Sequence, residues 1–228
     1  MNFAFFDLDD TLVDTRAALH AWALDFVAEY GIGDGDEEQA AARVVSQRVR
    51  EVETWREFAE HVDEWYGIDV PVDQLFEKLA TSYSAKFTIA PSVTDGLVRL
   101  RAAGLLLGIV TNGMTRVQHG KIDQVGLRDY VDVVIDSQSA GVRKPDRRIF
   151  EHAAGLIGVE LGPRGWMVGD MLDKDVEGGI AAGLRTIWLP HEVVRAPGDP
   201  EPEFAAASID EAIAIIEGSV RTPAATAE

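Results

Sequence analysis

The chain has 228 residues and carries 39 acidic side chains against 21 Lys and Arg, a formal net charge of -18. A surface so acidic argues against binding of nucleic-acid polymers, which depends on basic patches, and the absence of cysteine excludes disulfides, thiol catalysis and thiolate metal sites. A hydrophobic content of 46% and a charged content of 26% fit a globular chain with one large domain, or a core with a smaller insertion. No run is long and apolar enough to span a membrane and no leader-like segment precedes the first strand, so no membrane partner and a cytoplasmic location are expected.

Phe3-Ala4-Phe5-Phe6 is apolar on both faces and reads as a buried strand. It breaks into Asp7, Asp9 and Asp10, followed by Thr11, and carboxylates at a strand end need water, a cation or a partner. An acidic turn is the plain alternative for an Asp-x-Asp taken alone. A helix is expected over Val13–Tyr30, with Asp14 or Thr15 as cap and Gly31 as stop. From Glu37 to about Tyr83 the pattern stays helical and charged, broken near Gly67 and Pro71, so some four helices and no strand are expected between Asp14 and Lys86.

From Pro91 helices and strands alternate. The spacing predicts helices over 93–103, 115–125, 146–157, 173–182 and 209–216, and strands over 105–110, 131–135, 165–168 and 185–189. Strands separated by helices imply right-handed crossovers and a parallel sheet covered on both faces. The expected fold is therefore α/β, a Rossmann-like parallel core with an inserted all-helical block. Its boundaries would place 1–13 and 90–228 in the core and 14–89 in the insertion. Residues 190–202 should loop over the surface, and 221–228 should form a frayed tail.

Strand ends carry Asp7 and Asp9, Thr111 and Asn112, and Asp170, with Lys144 just after the third strand of the core. In an open parallel sheet those ends share one edge, where ligands bind. Asp7 and Asp170 could then hold a hard cation with a backbone carbonyl, and oxygen ligands of this kind suit Mg²⁺. Lys144 and the Thr111 hydroxyl would face the same anion. An anion pocket with a carboxylate aimed into it suits aspartyl-phosphate chemistry. Asp173 and Asp175 could both cap the helix that follows, and Asp173 is read as doing so. Trp22, Trp55, Trp65 and Tyr66 are read as core rather than base-stacking residues.

Asp7-Leu8-Asp9-Asp10-Thr11, Val110-Thr111-Asn112-Gly113, Lys144-Pro145 and Val168-Gly169-Asp170 through Asp175 together resemble the four motifs of the haloacid dehalogenase-like (HAD) superfamily, over essentially the whole chain. The resemblance implies that the helical block is a cap inserted after the first motif, and that the first and fourth motifs lie on neighbouring strands. It implies Asp7 as the nucleophile that becomes phosphorylated and Asp9 as general acid and then base. Asp7, Asp170 and the Asp9 carbonyl would hold Mg²⁺. Thr111, Asn112 and Lys144 would bind substrate, and Asp175 would orient Lys144 or a metal-bound water. Haloacid dehalogenases lack an acid at the Asp9 position, so a phosphatase of small phosphomonoesters is expected. A sugar phosphomutase and a non-enzymatic scaffold are the alternatives. The stretches around Thr111, Gly126–Tyr130 and Gly141–Phe150 are most similar to pyrimidine nucleotidases and acylneuraminate phosphatases, which makes a nucleoside monophosphate the leading substrate expectation. A monomer or small homo-oligomer is expected.

Overall fold

A computed structural model describes residues 1–33 and 35–221. Six parallel strands form its sheet: β1 (Phe3–Phe6), β2 (Leu106–Thr111), β3 (Val133–Asp136), β4 (Gly165–Gly169), β5 (Arg185–Trp188) and β6 (Phe204–Ala205), in the spatial order β3-β2-β1-β4-β5-β6. The sequence order reverses beside β1, whose two neighbours are β2 and β4. This is the doubly wound α/β arrangement expected, with a switch point at the strand that ends in Asp7.

The β1 side chains explain why that strand is central. Phe3 and Phe5 face one apolar cluster, with Val110, Phe150 and Met167. Ala4 and Phe6 face the other, with Leu97, Leu107, Ile109 and Ile213. Helices α8 (Arg147–Leu156) and α9 (Glu177–Ala181) cover the first face, and α5 (Pro91–Ala102), α6 (Thr115–Gln124) and α10 (Ile209–Arg221) the second. All three phenylalanines are fully buried, and each such burial stabilises by about 1.5–3 kcal/mol. The rings of Phe3 and Phe5 need bare backbone on the neighbouring strands. A Cβ on Gly165 would lie 2.1 Å from the Phe3 ring, and one on Gly108 would lie 2.9 Å from Phe5. Gly165→Ala should therefore lower stability by about 3 kcal/mol, read as a shift of the urea midpoint at unchanged slope.

Between β1 and α5 lie four helices, α1 (Thr15–Tyr30), α2 (Glu37–Arg50), α3 (Trp55–Tyr66) and α4 (Val72–Ser84). Each end has a local cause. The Asp14 carboxylate accepts from the Ala17 N–H, and Gly31 ends α1 in the left-handed region at φ 62°. Thr54 and Glu57 form a reciprocal capping box at the start of α3, the arrangement that satisfies two otherwise free amides. Trp22 is buried edge-on against Trp55 and Phe58, with ring centroids 4.7 and 5.7 Å apart. These aromatics are thus core residues, and their cluster runs without a break into the α5–α10 face of the sheet.

Three details differ from expectation. The segment read as one helix over 173–182 is a π-turn at Leu172–Val176 followed by α9. Met171 occupies its cap position without a side-chain bond, so Asp173 lies in the first turn and caps nothing. The π-turn fits one extra residue into the turn, and its buried side chains are Asp175 and Val176. The short β6 and the single turn α7 (Ser137–Ala140) were not expected, because neither is long enough to show a period. The predicted tail beyond residue 221 lies outside the described residues. No described helix is long and apolar enough to cross a membrane.

Candidate active site

After Phe6 the chain leaves the sheet in a tight turn, in which the amides of Leu12 and Val13 both donate to the Leu8 carbonyl. Asp10 sits at φ 52°, tolerable for Asp because its carboxylate bonds locally. Here its Oδ1 accepts from the Thr15 amide at 2.9 Å. The turn sends Asp7 and Asp9 to different partners.

Asp7 is buried, and its Oδ1 accepts from Lys144 Nζ at 2.7 Å. The same ammonium donates to Asp175 Oδ1 at 2.7 Å. Asp175 Oδ2 accepts from the Met171 amide at 2.9 Å, which ties the π-turn to the end of β4. Lys144 is 2% exposed. Burial alone would strip its charge, but Asp175 and Asp7 hold its pKa above the usual lysine value.

Carboxylate oxygens of Asp7, Asp170 and Asp175 lie within 4.8 Å of one another. Burial, acting with the neighbouring acids, raises Asp7 to about 6 despite the lysine, and raises Asp170 to about 7. One ammonium bonds two of the three carboxylates, Asp7 and Asp175, so the group is short of positive charge. A divalent cation that prefers oxygen would supply it, and in that sense the residues fit Mg²⁺.

Thr111 ends β2 and is 1% exposed, its hydroxyl accepting from Gln118 Nε2 at 2.6 Å. Asn112, expected to touch substrate, has both ends of its amide engaged by the Lys144 main chain. Its Nδ2 donates to the Lys144 carbonyl at 3.0 Å, and its Oδ1 accepts from the Lys144 amide at 2.9 Å. Asn112 therefore clamps the lysine's backbone. Asn112→Ala should cost about 1–2 kcal/mol of stability, since two backbone groups lose partners. It should lower kcat by about tenfold or more while leaving KM within a few-fold, because a small displacement of Lys144 is felt mainly in the transition state.

Asp9 belongs to a different set of contacts. Its two oxygens accept from Lys121 Nζ at 2.7 and 2.8 Å. Oδ2 also accepts from Gln118 Nε2 at 2.9 Å, and Oδ1 from the Thr15 hydroxyl at 3.1 Å. Burial would raise the Asp9 pKa, but Lys121, Gln118 and Thr15 together hold it below the usual carboxylate value. Neither Gln118 nor Lys121 stood out in sequence. The one signal was a Lys and a Gln three apart on the helix that follows Thr111, beside the apolar Val117 and Ile122, where a charged residue in the buried stripe is unusual.

Asp9, Lys121 and Gln118 line a cleft of about 630 Å³ between the helical block and the sheet edge. Trp55, Tyr83 and Arg48 come to it from the helical block, and Asn112, Met114 and Arg143 from the sheet side. Arg48 lies over the Trp55 ring at 4.6 Å. Arg16 and His20 meet Glu192 and Glu38 at the surface.

A parallel sheet with acids, a lysine and a threonine at its carboxyl edge defines a Rossmann-like enzyme with its candidate site at the switch point. Residues 4–189 match the family of haloacid dehalogenase-like hydrolases, and the chain belongs to it. The chain is similar to the pyrimidine 5'-nucleotidase YjjG of Escherichia coli (strain K12), at 29% identity over 92% of this chain and 95% of that protein. It is also similar to the glyceraldehyde 3-phosphate phosphatase of Methanothermobacter thermautotrophicus, at 30% identity over 87% and 90%. Among solved structures, the HAD phosphatase from Thermococcus onnurineus superposes with a TM-score of 0.68 at 26% identity, covering 96% of this chain and 99% of that one. The protein is a hydrolase of phosphoric monoesters.

Proposed function

We propose that the protein is a Mg²⁺-dependent phosphatase of small phosphomonoesters that works through a phospho-aspartate on Asp7. The observation that carries this reading is the buried Asp7 carboxylate at the end of β1, held at 2.7 Å by Lys144 within 4.8 Å of Asp170 and Asp175 oxygens. The phosphomonoester binds as its monoanion and gives its proton to the ionised Asp9. The phosphorus then accepts an Asp7 oxygen as its bond to the ester oxygen breaks, and that oxygen leaves as the alcohol with the proton from Asp9. Water deprotonated by Asp9 then attacks the same phosphorus, and Asp7 is released with inorganic phosphate. Lys144 and Thr111 stabilise the charge spread over the phosphoryl oxygens. Mg²⁺, held by Asp7, Asp170 and the Asp9 carbonyl, would add charge neutralisation at the same oxygens. Residues 14–89 act as a cap that shields the cleft from bulk water during the reaction.

For the substrate, the reading is a nucleoside monophosphate. The cleft is large enough for one, it is walled by Trp55 and Tyr83, and the E. coli relative is a pyrimidine 5'-nucleotidase. The test is phosphate release from a panel of nucleotides, sugar phosphates, glyceraldehyde 3-phosphate and phosphoglycolate, with Mg²⁺ and with EDTA. Metal-dependent release, fastest from nucleotides, is the expected result. Release fastest from another phosphoester would overturn the substrate reading alone. No release from any compound, with an isomerised sugar phosphate as product, would overturn the hydrolytic one.

A further inference from the structure

Lys121 is a buried cation for which the reaction as derived has no use. It is 4% exposed, and its ammonium is bracketed by both oxygens of Asp9, at 2.7 and 2.8 Å. On its other side the Tyr83 and Phe87 ring centroids lie 5.4 and 5.0 Å away, so the last turn of α4 and the chain leaving it both help to seat the ammonium. One turn earlier on α6, Gln118 reaches the same carboxylate, as residues three apart on a helix can. Asp9 itself sits in an irregular turn, with a side chain 30% exposed. The Thr15 hydroxyl, which donates to its Oδ1 at 3.1 Å, is its remaining side-chain partner among the described residues.

We propose that Lys121 is a positioning residue that fixes the carboxylate of Asp9 beside the leaving-group oxygen, with Gln118 as its second point of attachment. The inference rests on the phospho-aspartate reading above. A bidentate ammonium and an amide together fix the plane of the carboxylate, and proton transfer to a leaving alkoxide depends on that placement. A lysine present only for folding would affect all substrates alike, whereas one that aims Asp9 matters only where a proton must be delivered.

The experiment is a first-turnover measurement with enzyme in excess and Mg²⁺ present. It compares p-nitrophenyl phosphate, whose phenolate leaves without a proton, with uridine 5'-monophosphate or glyceraldehyde 3-phosphate, whichever the wild type cleaves faster. Lys121→Met should slow the alkyl ester by about tenfold to hundredfold and the aryl ester by less than about threefold, with Lys121→Arg restoring most of the loss. Equal losses on both esters, or no loss on the alkyl ester, would overturn the proposal. Where Lys121→Met alone does not fold, Asp9→Asn is compared with Asp9→Asn plus Lys121→Met, which leaves no unpaired charge. Equal alkyl-ester rates in those two support the proposal, since a residue acting through Asp9 has nothing left to act on. A further loss in the double variant overturns it. Failure of the phosphatase reading would show earlier and separately, as a wild type that cleaves neither ester.

Discussion

Asp7→Asn is expected to abolish phosphate release, by about four to six powers of ten, while the protein stays folded. Removing a nucleophile whose partners act as a unit costs nearly the whole rate, and an amide cannot form the acyl phosphate. Stability should move the other way or hardly at all. Burial and the neighbouring acids raise the Asp7 pKa to about 6, so its ionised form is an unfavourable guest in the metal-free fold. The neutral amide removes one negative charge from the cluster while Lys144 keeps Asp175 at 2.7 Å. Without metal, Asp7→Asn should therefore melt at or above the wild-type temperature. The check is a melting curve beside the phosphate assay. Retention of even about one per cent of the activity by Asp7→Asn would remove Asp7 from the nucleophile's role.

The second large effect is an unusual pH dependence of stability in the metal-free protein. A carboxyl whose folded pKa is raised binds its proton more tightly when folded, so stability rises as pH falls through that pKa towards the unfolded value. Asp170, near 7, and Asp7, near 6, both started from 3.8, so the window is pH 7 down to about 4. The gain from pH 7 to pH 5 should be about 2 kcal/mol. Below that window the trend reverses. The pKa values of Asp9 and Asp136 are lowered despite burial, by Lys121 for Asp9 and by hydrogen bonds from Ser139 and Thr115 for Asp136. Their stabilisation is lost as pH falls through those values. Saturating Mg²⁺ should abolish the gain between pH 7 and 5, because protons and cation compete for the same oxygens. Melting temperatures in EDTA and in Mg²⁺ across that range measure it directly. A flat metal-free profile would mean that the acids are not electrostatically crowded.

The parts of the site that could be read in advance were those coded by position along a strand. Asp7, Thr111 and Asp170 each follow an apolar run, and a parallel sheet brings all such ends to one edge, so their meeting needed only the topology. Lys144 could be placed because a loop after β3 opens on the same edge, and Asp175 through the resemblance that the motifs carry. What could not be read was how the amides and ammonium groups divide among these acids. Asn112 shares its strand end with Thr111, yet its side chain serves the Lys144 main chain, a contact set by how two distant loops abut. Lys121 and Gln118 were hidden for a related reason. Helical periodicity shows which face is inward, but not that an inward lysine has a carboxylate from a different loop waiting for it. The π-turn escaped as well, since one extra residue in a turn leaves no mark on the hydrophobic pattern.

The position of β1 in the sheet also governs when the site can come into being. Both neighbours of the strand come far later in the sequence, Phe3 pairing with Leu106 on one side and Gly165 on the other. During synthesis Phe3, Phe5 and Phe6 must wait, uncovered, through the whole of α1–α4 for one partner and through β2 and β3 as well for the other. Pairings so distant are slow to form, because the chain between them has to be closed first. The waiting strand is an aromatic segment prone to pair wrongly. Asp7 is therefore made well before, and put in place only after, both of the strands that flank its own.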